Sequence, residues 1–339
     1  MLSRVRELIL ELLRRYPEGI PQSMIHKLIN ASKSRVCEVL QELENAGVII
    51  RVKLGKQYLI KLRVAKEAAL RRVTKKRLNL GIVWSSEYPF IAPFAKILRS
   101  RYGIELEVSV FPNALLATWA LVNGDVDLVL SPLITQLYAY SLTKSLRIIG
   151  GGAYGGSVVL ENPNARYDTV ASSELSAMDA CRSVAIRELI SVEDTYYFSK
   201  PEDEVMKLLR EGKVRYFVVW HPLIDKLSIF GLRRVISCDE LGIDYCCTLA
   251  ASVRIERRLR SLLARVYEEA LKEYSRDPSK WFEWYSLKVG IPVDTIKRGQ
   301  VLYKLRPYLD VNTISKMLER VGISVPSYEI IREAVETHH

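Results

Sequence analysis

The apolar residues at the start of the chain recur with the period of a helix. They are Leu2, Val5, Leu8, Ile9, Leu12, Leu13 and Tyr16, and they predict one amphipathic helix. Pro17 and Gly19 break this pattern. A second helix is predicted over residues 21–29, and a third begins after Ser32, its predicted N-cap, and ends near Gly47.

Two short strands are predicted after the third helix, over residues 48–51 and 57–62, around a Lys53–Lys56 turn. Residues 1–63 therefore have the order helix, helix, helix, hairpin. The stretch 64–77, VAKEAALRRVTKKR, predicts a basic helical linker. Its composition fits a dimerisation helix, an additional phosphate contact or a plain connection, and the sequence leaves these alternatives open.

From residue 78 the pattern changes to strands that alternate with helices, which is typical of α/β domains. Predicted strands cover residues 78–84, 105–111, 128–130, 147–150, 157–160, 170–171, 195–198, 215–220, 234–237 and 248–253, with a glycine-rich turn at 150–156. Helices are predicted over 89–102, 114–122, 176–189 and 202–210, and the chain is predicted to be almost wholly helical from residue 256. Residues 78–339 form one predicted domain, with a second lobe at about 165–240.

Charge separates the same two parts of the chain. Residues 1–77 contain 18 Lys and Arg against 7 Asp and Glu, whereas the remaining residues contain 32 of each. The net charge of +11 therefore belongs entirely to the first part. A strongly basic segment joined to a neutral one indicates two functions, and binding of a polyanion is the natural function of the first.

Composition sets further limits on the class of protein. No apolar run approaches the length of about 18 residues that spans a bilayer, and charged residues interrupt the N-terminal apolar positions, which argues against a secretory signal. The five cysteines, Cys37, Cys181, Cys238, Cys246 and Cys247, lack CxxC spacing. Free or buried thiols are expected rather than disulfides or a zinc site, and a cytoplasmic location follows.

The segment SKSRVCEVLQELENAGVIIRVKLGKQYLI resembles winged helix-turn-helix transcription regulators: a capped helix, an LxxLExxG cadence, then a wing. The resemblance covers about residues 2–63 and implies binding to double-stranded DNA. The residues that it assigns to DNA contacts are Lys33, Ser34, Arg35, Gln41, Arg51, Lys53, Lys56 and Gln57. Winged helices also serve as protein-interaction modules, so a solvated basic face is the alternative interpretation.

Four further segments resemble the type II periplasmic-binding-protein fold, in particular its branch that binds thiamine pyrimidine, nitrate and sulfonate. They read NGDVDLVLSP, IIGGGAYGGSVVLEN, TVASSELSAMDACRSVAIREL and VRYFVVWHPLIDKL. The predicted fold class is therefore α/β, with an N-terminal winged helix-turn-helix domain and a two-lobed periplasmic-binding-protein-like domain whose C-terminal region is helical. Such a fold binds its ligand between the lobes, where strand C-termini and helix N-termini converge.

On that logic the ligand site draws on residues that follow the predicted strands. The candidates are Ser85, Ser86, Glu87, Tyr88, Asn113, Ser131, Tyr154, Ser172, Ser173, Glu174, Trp220, His221, Asp244 and Tyr245, with Pro132 beside Ser131. Structural roles are the alternatives: Ser173 as a helix cap, Trp220 in the core, and Tyr154 packed on a neighbouring lobe. The mixture of hydroxyl, aromatic and carboxyl groups favours a small polar or aromatic metabolite over a lipid.

Catalysis is the weaker interpretation of these residues. Apart from His338 and His339 at the end of the sequence, the histidines are His26 and His221, which are too few for a predicted metal cluster or Cys–His pair. No P-loop or Rossmann glycine pattern occurs, so no cofactor, no metal and no catalytic residue is predicted.

The sequence thus predicts a one-component transcription regulator, acting as a homodimer without a membrane partner, whose DNA affinity responds to a small metabolite. The alternative is a cytoplasmic enzyme or ligand carrier of the pyrimidine-synthesis or binding-protein type, with a winged helix that contacts protein or RNA.

Overall fold

The chain divides into two units, residues 1–73 and 74–339, in a computed structural model that describes residues 2–16, 19–45, 48–54, 57–62, 77–322 and 327–336. The predicted linker at 64–77 lies outside the described residues except for Arg77, which begins a strand. Among the described residues, no helix has the length and apolar character needed to cross a membrane.

The described residues of the first unit form three helices and a small antiparallel sheet. Its elements are α1 (Leu2–Arg15), β1 (Ile20–Pro21), α2 (Gln22–Leu28), α3 (Lys33–Asn45), β2 (Ile49–Leu54) and β3 (Gln57–Leu62), with strand order β1-β3-β2. The helical apolar spacing is confirmed, because Ile9, Leu13, Val39, Leu40 and Leu43 are fully buried in one core. β1 was not predicted; its two residues pair with Leu59 and Ile60 of β3.

The second unit contains two sheets, one per lobe. Lobe one has six strands in the order β14-β7-β13-β6-β4-β5, and lobe two has five in the order β10-β9-β11-β8-β12. The strands are β4 (Arg77–Val83), β5 (Glu105–Phe111), β6 (Leu128–Pro132), β7 (Leu146–Gly155), β8 (Ser157–Glu161), β9 (Thr169–Ser172), β10 (Asp194–Tyr197), β11 (Tyr216–Trp220), β12 (Arg233–Ser237), β13 (Cys247–Ser252) and β14 (Tyr303–Arg306).

Helices cover both sheets of the second unit. They are α4 (Ile91–Ile97, continued by a π-helical turn at Leu98–Tyr102), α5 (Ala114–Asn123), α6 (Leu133–Thr143), α7 (Ala177–Glu188), α8 (Pro201–Arg210), α9 (Leu223–Ser228), α10 (Arg257–Arg276), α11 (Phe282–Val289), α12 (Val293–Gln300), α13 (Val311–Val321) and α14 (Tyr328–Ala334). The alternation of strands and helices is thus confirmed. The helices α6 and α9 and the strand β14 were not predicted.

Two expectations for this unit need correction. The glycine-rich stretch forms the long strand β7 rather than a turn, because its glycines admit close neighbours: a side chain at Gly151 would collide with the Arg306 carbonyl, and one at Gly152 with the Cys247 carbonyl. In addition, β8 pairs with β11 and β12. The second lobe therefore takes in Ser157–Glu161, earlier than the predicted boundary near residue 165.

The expectation that every cysteine is a thiol is also wrong. Cys181 on α7 and Cys238 after β12 form a disulfide that links a helix of lobe two to the end of its edge strand. Cys37, Cys246 and Cys247 are free thiols. The spacing of 57 residues between the paired cysteines carries no motif, so only the packing of α7 against the sheet reveals the pair.

Counting thiols tests this pairing. We expect three reactive thiols in the denatured, unreduced chain, and five after reduction. Cys181→Ser should expose the Cys238 thiol and lower the free energy of unfolding by about 2–4 kcal/mol, since the cross-link restricts the unfolded chain. Cys37→Ser is the matched control, with one thiol fewer and unchanged stability. Five thiols in the unreduced wild-type chain would contradict the pairing.

Candidate functional site

A cleft lies where the two sheets of the second unit face each other, and it encloses a cavity of about 20 Å³. In this closed arrangement the cavity has room for about one water molecule, so a small-molecule ligand requires the lobes to separate. The lining residues are Val83, Ser85, Glu87, Tyr88, Ala114, Pro132, Gly155, Ser157, Ser173, Ser176, Met178, Trp220, Cys246, Cys247 and Tyr303. None of these described residues is Lys or Arg, so the carboxyl group of Glu87 is the main ionisable group facing the space.

The loop after β4 supplies Ser85, Glu87 and Tyr88, and it is fixed at both ends. Tyr285 on α11 donates a hydrogen bond of 2.5 Å to the Ser85 carbonyl, and the Glu87 amide donates to the Ser85 hydroxyl at 3.1 Å. Glu87 is only 5% exposed, and its Oε1 has no hydrogen-bond partner among the described atoms. Burial raises the pKa of Glu87 to about 8, because desolvation of the carboxylate outweighs hydrogen bonds from the neighbouring thiols.

Two free thiols adjoin this carboxyl group. Cys246 and Cys247 lie at the start of β13, between β6 and β7, and the Cys246 carbonyl accepts the Leu133 amide at 2.8 Å. The Tyr88 hydroxyl donates to Cys247 Sγ at 2.9 Å. Burial raises the pKa of the Cys247 thiol well above its usual range. The Cys247 hydrogen bond lowers the pKa of Cys246, but burial and Glu87 raise it overall.

Hydrogen bonds join the two lobes around the cleft. The Trp220 indole of lobe two donates to the Trp84 carbonyl of lobe one at 2.9 Å. The Asn113 amide side chain donates to the Ser199 carbonyl at 2.9 Å. Outside the lining of the cleft, the Ser86 hydroxyl and His221 Nδ1 are 2.6 Å apart. The lobes are therefore held in a closed arrangement.

His221 is a neutral contact between the lobes rather than an exposed base. It is buried, and desolvation lowers its pKa although Asp225 acts in the opposite direction. Its Nε2 is 3.3 Å from Asp225 Oδ2, without hydrogen-bond geometry, and Asp225 is paired with Arg298 at 2.8 Å. Gly299 covers the Ser86 and His221 side chains, so Ser86, His221 and Asp225 do not form an accessible catalytic triad.

The structure brings together a minority of the ligand residues that the sequence predicts. Ser85, Glu87, Tyr88, Ser173 and Trp220 line the cleft, with Pro132. The predicted residues outside its lining are Ser86, Asn113, Ser131, Tyr154, Ser172, Glu174, His221, Asp244 and Tyr245.

Lobe one holds three of these residues in other contacts. The Asn113 side chain caps α5 by accepting the Leu116 amide, besides its contact with Ser199. The Ser131 hydroxyl accepts from Thr118 at 2.8 Å within the core. Tyr154 lies on β7 under the guanidinium group of Arg306, because the glycine-rich stretch is a strand and not a loop at the cleft.

The other predicted ligand residues that lie outside the lining of the cleft are buried elsewhere, exposed, or bonded to the C-terminal region. Ser172 is fully buried at the end of β9, and Glu174 is exposed. Asp244 approaches Arg306 at 3.9 Å, whereas the Tyr245 hydroxyl donates to the Tyr308 carbonyl. The N-cap of α7 is Ser176, whose hydroxyl accepts the Met178 and Asp179 amides.

Sequence reasoning missed several lining residues. Gly155, Ser157 and Met178 lie near predicted segments but carried no chemical signal of their own. Tyr303 comes from the unpredicted strand β14, and its hydroxyl donates to the His221 carbonyl at 3.2 Å. In the sequence, Cys246 and Cys247 stand out only as an adjacent pair, because Glu87 lies 159 residues before Cys246.

The first unit presents a separate candidate surface. Lys33, Ser34 and Arg35 are exposed on the first turn of α3, and Gln41 and Lys53 are exposed as well. Arg51 differs, because its guanidinium group pairs with Glu44 at 2.8 Å and donates to Gln41 Oε1 at 3.2 Å. Lys56 and the Gln57 side chain lie outside the described residues.

The raised pKa of Glu87 makes stability depend on pH. The folded chain binds this proton more tightly than the unfolded chain, whose pKa is near 4.5, so the free energy of unfolding should fall between pH 4.5 and about 8 and then level off. The loss is several kcal/mol, at about 1.4 kcal/mol per pKa unit. We expect Glu87→Gln to remove this decline in urea titrations of metal-free protein, and the exposed Glu283→Gln to retain it. Equal slopes in the wild type and Glu87→Gln would contradict a neutral buried carboxyl group.

Comparison with known proteins identifies the architecture of the second unit. No family model matches the chain, and no curated protein matches it. The ligand-binding component of an ABC-type import system from Staphylococcus aureus, solved with zinc bound, has 14% identity and a TM-score of 0.64, over 78% of this chain and 100% of that one.

Two further solved structures share the fold. The alkanesulfonate-binding protein of Xanthomonas axonopodis pv. citri, bound to MOPS, has 17% identity and a TM-score of 0.61 over 77% of this chain and 98% of its own. The periplasmic nitrate-binding protein of Synechocystis PCC 6803 has 12% identity and a TM-score of 0.63, over 77% and 86%. The chain therefore contains the two-lobed α/β fold of periplasmic-binding-protein-like substrate-binding proteins.

Proposed function

We propose that the chain is a one-component DNA-binding transcription regulator whose DNA affinity is controlled by a small metabolite bound between the two lobes. The observation that carries this proposal is the division of charge: residues 1–77, which include the helices and hairpin of the first unit, carry the whole net charge of +11, and the neutral remainder contains a cleft between two lobes. A polyanion and a small molecule are the partners that these two surfaces favour.

The order of elements in the first unit supports a winged helix. Three helices precede a β-hairpin, and β1 adds a third strand to it. In such a domain α3 enters the major groove with its N-terminal residues first. Lys33, Ser34 and Arg35 stand at that end and are exposed, which favours them as contacts to bases or phosphates.

The contacts of Arg51 favour a different role for it. A guanidinium group paired with Glu44 and Gln41 stabilises the junction of α3 with β2. Gln41 is engaged in the same contact and also donates to Asn45. We therefore assign backbone attraction mainly to the lysines of the hairpin, such as Lys53, and a positioning role to Arg51.

The lining of the cleft favours a small polar or aromatic metabolite over a strong anion. Trp220, Tyr88 and Tyr303 offer aromatic surface, and Ser85, Ser173 and Ser176 offer hydroxyl groups. A free phosphate is bound most strongly by charged donors such as Arg and Lys. The described lining contains neither residue type. Sulfonate and nitrate, which the structural neighbours bind, are therefore poor candidates as ligands of the metal-free cleft.

Ligand control requires the two arrangements of the lobes to differ in affinity for the metabolite. Contacts such as Trp220 to Trp84 form only when the lobes are close. A ligand that stabilises them shifts the population toward the closed arrangement, and a homodimer would transmit that shift to two DNA half-sites. A cytoplasmic location is part of the proposal. The Cys181–Cys238 disulfide does not contradict this location, because intracellular proteins of hyperthermophiles also contain disulfides.

The structural neighbours favour a second candidate, a ligand carrier whose first unit contacts protein or RNA. They are binding proteins of import systems. Duplex DNA binding separates the two candidates.

Native mass spectrometry of the full chain tests the cleft. We expect protein purified without dialysis to carry a small molecule in addition to its own mass. Ser173→Trp should remove this adduct, because an indole would fill the space beside Trp220. The exposed Ser191→Trp is the matched control and should keep the adduct. Retention of the adduct by Ser173→Trp would place the ligand elsewhere.

Fluorescence anisotropy with duplex DNA tests the first unit in the full chain. Affinity should fall as salt rises, and Lys33→Ala should weaken binding and reduce the log–log salt slope by about one. The exposed Lys316→Ala on α13 should leave both unchanged. If the intact chain binds no duplex DNA at low salt, the regulator proposal fails and the carrier is favoured.

A further inference from the structure

Three metal-ligating side chains meet at the inner end of the cleft. Cys246, Cys247 and Glu87 are all buried, and one ligand atom of each lies within 4.8 Å of the others. We propose that they bind a single thiophilic divalent cation of the Zn²⁺ type, with one coordination position directed to the cleft. This goes beyond the proposed function and holds whether or not the chain binds DNA.

The distances between the ligand atoms match one tetrahedral ion. The two sulfur atoms are 3.7 Å apart, and Cys246 Sγ is 3.9 Å from Glu87 Oε2. A zinc–sulfur bond of about 2.3 Å at the tetrahedral angle separates two sulfur ligands by about 3.8 Å. With a zinc–oxygen bond of about 2.0 Å, the sulfur–oxygen separation is about 3.5 Å. For the Cys246–Glu87 pair, a movement of a few tenths of an ångström by the carboxyl group therefore suffices, and the Cys247–Glu87 pair lies within 4.8 Å.

The backbone fixes the two thiols before any ion binds. Cys247 begins β13, whose neighbours on both sides are β6 and β7. Cys246 precedes the strand, and its amide and carbonyl groups bond to Ala153 and Leu133. Because Cys246 lies before the first residue of the strand, the two side chains do not point to opposite faces of the sheet. Their sulfur atoms lie close together, and both approach Glu87.

One carboxyl oxygen of the site, Glu87 Oε1, is buried without a hydrogen-bond partner among the described residues, which is costly for such an oxygen. Because the oxygen at 3.9 Å from Cys246 Sγ is Oε2, a cation satisfies Oε1 only if it binds both carboxyl oxygens or the carboxyl group rotates. Tyr88 donates its hydroxyl to Cys247 Sγ, an orienting contact of the kind that metal-binding thiolates commonly receive. Thiols and carboxyl groups bind such an ion in their deprotonated forms, so binding should release protons.

The type of ligand selects the ion. Two thiolates and one carboxylate suit Zn²⁺ or another thiophilic ion, whereas Mg²⁺ and Ca²⁺ require six or more oxygen ligands. Three protein ligands leave one position of a tetrahedral ion for water or another donor. Because Ser85 and Tyr303 line the space beside Glu87, a cleft ligand with a nitrogen or oxygen donor could occupy that position.

Cobalt(II) serves as the spectroscopic probe in the reduced full chain. We expect one equivalent of Co²⁺ to give thiolate charge-transfer absorption and intense tetrahedral bands, which Zn²⁺ removes and Mg²⁺ does not. Cys246→Ser and Cys247→Ser should each reduce the charge-transfer absorption to about half or less. Cys37→Ser, which changes an exposed thiol of the first unit, should leave the spectrum unchanged. Glu87→Gln should weaken Zn²⁺ binding by more than about tenfold.

Tyr88→Phe keeps the experiment decisive if a cysteine variant fails to fold. It removes only the hydroxyl that bonds to Cys247, so it should shift the energy of the charge-transfer band. The metal proposal is overturned if Cys37→Ser abolishes the spectrum, if Tyr88→Phe leaves the band unchanged, or if Co²⁺ gives no such band. None of these results alters the DNA-binding test of Lys33→Ala, so failure of the metal site and failure of the regulator proposal are distinguishable.

Discussion

The chemistry of the cleft depends on a carboxyl group that is buried without a cationic partner among the residues that the structure describes. Glu87 lies on the loop after β4, which Tyr285 and Ser85 hold in place. An ionised carboxylate in such surroundings loses its hydration, so the group either keeps its proton or acquires a positive partner. A metal ion, or a ligand that donates hydrogen bonds, supplies that partner.

The closed arrangement of the lobes limits which molecules reach Glu87. Trp220 crosses from lobe two to bond with the Trp84 carbonyl, and the Ser86–His221 contact lies beside it. Each neutral hydrogen bond contributes only about 1 kcal/mol. A few such contacts hold the lobes together weakly enough for a bound ligand or ion to change the balance. This is the energy scale on which a sensor works, since a coupling of 1–3 kcal/mol changes affinity by about 5- to 150-fold.

The elements of this fold were largely predictable, because the apolar periodicity of each helix and strand is local information. β5 at Glu105–Phe111 and β3 at Gln57–Leu62 follow their predicted bounds. The path of the chain between the lobes was harder to predict. Whether β8 belongs to lobe one or lobe two depends on its pairing with β11, and no short stretch of sequence encodes that pairing.

The candidate site was predictable only where a strand end points directly at the cleft. Glu87 and Trp220 satisfied that rule, whereas Tyr154 did not, because close backbone contacts at Gly151 turn the expected loop into a strand. The cysteine cluster shows the limit more clearly. Adjacent cysteines match no common zinc spacing, and the third ligand lies far away in sequence.

The proposed metal ion and the proposed metabolite would occupy the same cleft, so the binding of each would affect the binding of the other. Cys246 and Cys247 are fixed by the central strand of lobe one, while Trp220 and Ser173 come from lobe two. An ion held by Glu87 and the thiols would therefore form part of the wall of lobe one before the lobes close. A metabolite that coordinates it would contact lobe two with its remaining surface. In this arrangement the metal ion would select the donor group of the metabolite, and binding of the metabolite would favour closure of the lobes.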